Sequence, residues 1–165
     1  MPTPWKMPPL IKVYEALGAL GDGRVRILDE EHAHVTSSGG DKTYQVENRD
    51  DGREVSSNDS ASYWQGYVGY PAIAVLLCRG LIPMPAKAAQ ALAGIPWNEL
   101  NRRFKRDYSR TLAEVERKLK QAGRDPDAIR AEAEVVLEAL RSLAPHRGKR
   151  LRPRATRFEG GRRGG

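Results

Sequence analysis

The chain has 165 residues, a hydrophobic fraction of 39%, a mean hydropathy of -0.62 and one cysteine. That composition suits one domain with polar appendages. It contains no apolar run near the ~20 residues of a bilayer span, and Cys78 alone forms neither an internal disulfide nor a multi-cysteine zinc site. The formal charge of +7 sits at one end: residues 146–165 hold eight Lys/Arg and one acid, Glu159, while the first 145 residues balance twenty basic against twenty acidic side chains. A basic core is thereby excluded as the source of the pI of 9.8.

Residues 1–9 carry four prolines and are expected to be extended, with Trp5 anchoring back onto the core. No basic stretch followed by an apolar one opens the chain, so no signal peptide is expected and cytoplasm is the expected compartment. Leu10, Val13, Tyr14, Leu17 and Leu20 have helical spacing, which predicts a helix over 9–20 stopped by Gly21 to Gly23. Period-two alternation follows at Val25 and Ile27, Ala33 and Val35, Tyr44 and Val46, then Val55, with turn signals between. These predict four short strands in an antiparallel meander with one apolar face. A covering helix is expected from Pro71 to Arg79, and a short alanine-rich one from Ala86 to Ala93. Cys78, after Val75 to Leu77, reads as a buried small hydrophobe.

Asn98 is placed to cap a long helix whose stripe is Leu100, Phe104, Tyr108, Leu112, Val115 and Leu119, ending near Gly123. Asp125 and Pro126 restart a second, with Ile129, Ala133, Val136, Leu140 and Leu143 as its stripe. Two stripes joined by a short turn predict an antiparallel helical hairpin, packed on the meander or on a second copy. Beyond Pro145 nothing apolar repeats, and a disordered Arg/Gly-rich tail is expected. The fold class read from this pattern is α+β: a 10–96 core built on the meander, a 97–145 hairpin and a 146–165 tail.

The stretch from Val55 to Leu77 joins the last strand to the covering helix through a loop rich in glycine and aromatics. This order resembles the SWIM domain, a small zinc module of hairpin-then-helix form with a Cys-x-Cys on the hairpin and a Cys-x-His opening the helix. The apolar run Ile73 to Leu77 stands where that family carries a similar one. Laid on the pattern, the ligand positions fall on Val55, Ser57, Gly69 and Pro71, none of which can hold zinc. The resemblance covers residues 55–77 and implies a metal-free descendant, with the aromatic loop as its staple. Family members are associated with binding DNA or proteins, and the missing ligands put that association in doubt here.

Tyr63, Trp64, Tyr67 and Tyr70 offer either a stacking platform for bases or a lid that closes the core. Asn58, Asp59 and Gln65 beside them either read a ligand or cap the loop. His32 and His34 share a strand face, but no third ligand with convincing spacing accompanies them, so no metal or cofactor is expected. Arg102, Arg103, Arg106 and Arg110 on the first long helix either track phosphates or form a solvated face, with Arg103–Asp107 and Arg110–Glu114 ion pairs. Arg147, Lys149, Arg150, Arg152 and Arg154 open the tail that would supply non-specific phosphate contacts. No phosphate-cradling glycine loop, nucleophile elbow or activated cysteine supports catalysis. The leading expectation is a non-catalytic protein associated with nucleic acid, RNA or DNA. The alternatives are an adaptor dimerising or meeting a protein partner through the hairpin, and an enzyme with a site at 58–70. No membrane association is expected.

Overall fold

The computed structural model describes residues 2–153. The alternating segment forms four strands, β1 (Val25–Ile27), β2 (His32–Thr36), β3 (Thr43–Arg49) and β4 (Glu54–Ser57), each antiparallel to the next. The register aligns Ile27, Ala33, Val46 and Ser57 across the sheet, and Val25, Val35 and Tyr44 beside them. One face therefore carries the buried valines while the other presents His32, His34, Gln45 and Glu47, as a one-sided antiparallel sheet requires.

Helix α1 (Ile11–Gly21) and helix α2 (Tyr70–Cys78) cover the apolar face. Helix α2 lies against β1 to β4 and against α1, so it is enclosed on both sides. That explains why Pro71 through Leu77 are all buried and why its sequence shows no polar face. Helix α1 approaches its neighbours closely. A Cβ on Gly18 would stand 2.6 Å from Trp97 Nε1, and one on Gly21 would stand 2.1 Å from the Ala89 carbonyl oxygen. Glycine is needed there for space.

Helix α3 (Ala86–Ala91) packs on α1. The long helix expected from Asn98 is two helices, α4 (Trp97–Arg103) and α5 (Tyr108–Gln121). Lys105 and Arg106 between them adopt φ of 54° and 66°. The stripe spacing concealed this break, because Phe104 and Tyr108 keep helical register across it. Its local cause is Asp107, whose carboxylate accepts the Arg110 N–H at 3.3 Å and caps α5. Helix α6 (Pro126–Leu143) starts as the sequence predicts, with Asp125 accepting the Asp127 N–H at 3.0 Å. It packs on α1 and α3 as well as α5. Val115, Leu119, Val136 and Leu140 join the same buried cluster as α1 and α2, so the hairpin stripes are spent inside this chain.

Two further expectations need correction. Cys78 is exposed, because the enclosed run of α2 ends at Leu77 and the next residue leaves the interface. The chain also stays in the sheet past Pro145: β5 (His146–Arg147) pairs parallel with β4, giving the order β1-β2-β3-β4-β5. Two residues carry no periodic signal, so their pairing could not be read from sequence. The extended N-terminal segment closes that edge. Arg147 N–H donates to the Thr3 carbonyl at 2.7 Å, Trp5 N–H to Pro145 at 3.0 Å, and Trp5 Nε1–H to the Val55 carbonyl at 3.0 Å. The rest of the tail, including Arg154, Arg157, Arg162 and Arg163, lies outside the described residues. No helix among the described residues is long and apolar enough to cross a membrane.

Candidate nucleic-acid interface

The loop between β4 and α2 is built around Asp59. Its carboxylate is buried and accepts from Ser57 Oγ at 2.5 Å, from Ser62 Oγ at 2.8 Å and from the Ser62 N–H at 3.0 Å. Ser62 Oγ in turn accepts the Gly69 N–H at 3.1 Å. Asn58 is likewise committed, exchanging its Oδ1 and N–H with the Gln45 backbone at 2.8 and 3.1 Å. Both side chains are thus consumed in holding a single π-turn, Ala61–Gln65, against the end of the sheet. Gln65 faces solvent.

That turn separates the four aromatics. Trp64 is 70% exposed, the most open large hydrophobic side chain among the described residues. Tyr63 meets it edge-on with ring centroids 4.6 Å apart. Tyr70 instead packs edge-on against Tyr44 at 6.0 Å, and burial raises its hydroxyl pKa. Burial likewise pushes Tyr67 up to about 12 against the opposing pull of Lys12. Two of the four therefore present rings outward and two turn toward the core.

Beyond Pro145 the chain delivers its cations to this same turn. The Arg150 guanidinium lies 4.1 Å from the Tyr63 ring centroid, and that of Arg147 4.8 Å from the Trp5 ring. Arg147 Nη2–H also donates to the Gly66 carbonyl at 3.2 Å, and the Lys6 N–H shares that acceptor at 3.1 Å. Lys149 stands 3.9 Å from Glu47 on the open sheet face, and Arg152 is exposed. Proximity of Tyr63 to Arg150, 87 residues apart in the chain, has no sequence signature. It follows from β5 pairing beside β4.

The second basic group adjoins this surface through Tyr67, which bridges to Lys6 on one side and lies beside Tyr108, the first residue of α5, on the other. Arg103 and Arg110 flank the Phe104 ring at 5.0 Å each. Arg103 pairs with Glu114 at 3.9 Å, replacing both expected ion pairs, because Asp107 serves as the α5 cap. Arg102 and Arg106 are exposed.

Sequence reading missed the buried Lys12 and Glu15 on α1. Their charged atoms are 3.2 Å apart, with side chains 11% and 3% exposed, and Asn101 Nδ2–H donates to Glu15 at 2.8 Å. Burial alone would lower the Lys12 pKa. The Glu15 carboxylate, with Tyr108 and Tyr67, outweighs it, and the net shift is upward. The pair fell within an apolar helical pattern, which gave no sign that its polar positions also face inward.

His32 and His34 face outward, and among the described residues no three His, Cys, Asp or Glu side chains form a group able to hold a metal. His32 serves a turn. Asp29 accepts from the backbone N–H groups of Glu31 and His32 at 2.8 Å each and from His32 Nδ1 at 2.9 Å. Led by the Glu31 N–H, these bonds lower its carboxyl from 3.8 to about 2. A depressed carboxyl stabilises the fold above its unfolded value and loses that contribution as pH falls through the folded one. The Asp29 carboxyl carbon should titrate in NMR with a midpoint about 2. A midpoint at the free-aspartate value of ~3.9 would contradict the turn as described.

The family model described as Uncharacterised conserved protein UCP014422 matches residues 5–146. The chain belongs to this family. No curated protein matches it, and no solved structure does. The UCP014422 match runs from Trp5 to His146 and so takes in the aromatic turn, helices α1 to α6 and the first residue of β5.

Proposed function

We propose that this member of UCP014422 is a non-catalytic, cytoplasmic protein that binds nucleic acid through unpaired bases and phosphates. The observation that carries this reading is Trp64: a tryptophan 70% exposed and edge-on to Tyr63, whose ring carries the guanidinium of Arg150. An exposed indole accepts any base face, and cations flanking it meet the phosphates on either side. Arg147, Lys149 and Arg152 extend the charge along one edge, and Arg102, Arg106 and Arg110 extend it past Tyr67. The SWIM resemblance bears on how the loop is held rather than on its partner. Ser57 and Gly69, two of its ligand positions, converge on the Asp59 carboxylate, so a carboxylate would staple the loop in place of zinc. The enzyme alternative loses support because Asn58 and Asp59 are spent on the loop itself.

The test is fluorescence anisotropy of labelled single- and double-stranded DNA and RNA, with full-length protein, across a salt series. Single strands should bind more tightly than duplex. Trp64→Ala should weaken them about tenfold or more, the loss of one base stack. An Arg102→Gln/Arg106→Gln variant should flatten the salt slope by roughly 1 to 2 without changing base preference. Unaltered binding by Trp64→Ala would sink the stacking role, and no saturable binding at low salt would sink the whole reading.

A further inference from the structure

A concavity lies at the opposite end of the strands, where the β1–β2 turn, the β3–β4 turn and the C-terminal end of α2 meet. It is an open cleft of about 730 Å³ whose lining includes Ile27, Glu30, Asn48, Asp50, Asp51 and Arg79. Its lining holds four carboxylates against two guanidinium groups. One of those guanidinium groups, Arg49, is already shared among Glu31, Glu47 and Glu54. The lining is thus acidic, although residues 1–145 as a whole balance basic against acidic side chains.

Asn48 lines this cleft. Its side chain is on the apolar face of β3, the residue is 4% exposed, and neither Oδ1 nor Nδ2 has a hydrogen-bond partner among the described residues. Arg79, whose Nη2 donates to the Asp29 and His32 carbonyls at 2.9 and 3.2 Å, also has no partner for its buried Nε–H among the described residues. A buried carboxamide with nothing to bond is costly, and a leucine of similar size would serve folding better. The cleft thus asks for a donor and an acceptor side by side at its back and for positive charge at its rim. A metal ion cannot satisfy the Nδ2–H donors.

We propose that this cleft binds an extended basic peptide segment of a partner protein. One residue of the extended peptide pairs with the Asn48 carboxamide, its own C=O accepting from Nδ2 and its own N–H donating to Oδ1. A neighbouring Lys or Arg side chain lies against Glu30, Asp50 and Asp51. Strand β1 reaches the cleft at Ile27, which is 41% exposed and offers apolar surface to the peptide.

The experiment uses full-length protein and an acetylated, amidated, fluorescent hexapeptide of alternating leucine and arginine. Saturable binding is expected, with none for the same peptide carrying glutamate in place of arginine. Asp50 and Asp51 have φ of 56° and 52°, a conformation asparagine adopts as readily. Asp50→Asn/Asp51→Asn should therefore keep the fold and weaken the peptide at least about tenfold. Asn48→Leu should abolish binding while leaving thermal stability equal or higher, and Trp64→Ala should leave it unchanged. Failure to saturate, or indifference to both cleft variants, overturns the proposal. Arginine amide binding as tightly as the peptide also overturns it, since the site would then read only a cation.

Discussion

Replacing Glu15 by Gln, or Lys12 by Met, is expected to cost ~3–5 kcal/mol of stability, whereas replacing both together should cost far less. Glu15 is 3% exposed and holds Lys12 at 3.2 Å and Asn101 at 2.8 Å. Either single change strands the other charge in a site with little water, and the desolvation already spent on it is no longer offset. Removing both partners deletes the penalty with the attraction, so the double variant Lys12→Met/Glu15→Leu should recover much of the loss. The pH dependence has a definite sign. A lysine whose folded pKa is raised contributes fully below its unfolded value of ~10.4 and loses that contribution as pH climbs toward the folded one. The pair should thus hold unchanged across neutral pH and weaken only in strong alkali. Urea unfolding of the two single variants and the double one measures this. Single variants within about 1 kcal/mol of wild type would show that the pair is solvated and unimportant.

The second large effect is at Gly69. Its φ and ψ of -76° and 166° suit any residue, so glycine is required for space alone. An added Cβ would stand 2.1 Å from Asp59 Oδ2 and 2.7 Å from its Cγ. Gly69→Ala must therefore push the carboxylate off Ser57 and Ser62. Asp59→Ala reaches the same state by deletion, leaving three donors without their acceptor. Each buried donor left unpaired costs ~1–3 kcal/mol, so either substitution should lower stability by roughly 3–5 kcal/mol. At this chain length that is a melting-temperature drop on the order of 10 °C. Because both break one network, the double variant should be little worse than either single one. The π-turn would loosen with the network, so the Ser62 amide should lose hydrogen-exchange protection. A Gly69→Ala protein that melts like wild type would remove Asp59 as the loop's staple.

These two sites differ in how far they could be read in advance. The strands, the covering helix and the α6 start were legible because each rests on a local signal: alternation at Val25 to Val55, an apolar run at Ile73 to Leu77, and the Asp125–Pro126 cap. The aromatic loop was legible as a candidate for the same reason, since Tyr63 to Tyr70 is a local cluster. Which of its rings face solvent was not. That depends on Asp59 folding the backbone into a π-turn, and one turn carries no periodicity to read. The helix break at Lys105 was hidden for a related reason, because the stripe across it stays in register while the cap that causes it is a single aspartate.

Sequence by itself determined the α+β class, the one-sided meander and the confinement of net charge to the last twenty residues, since composition and period are properties of the chain alone. Tertiary structure decided the rest. It brought Arg147 and Arg150 onto Trp5 and Tyr63 through β5, enclosed Lys12 with Glu15, and spent the hairpin stripes within one core. Those outcomes depend on which distant segments become neighbours. Burial and strand pairing set that, and neither leaves a mark at the residues concerned.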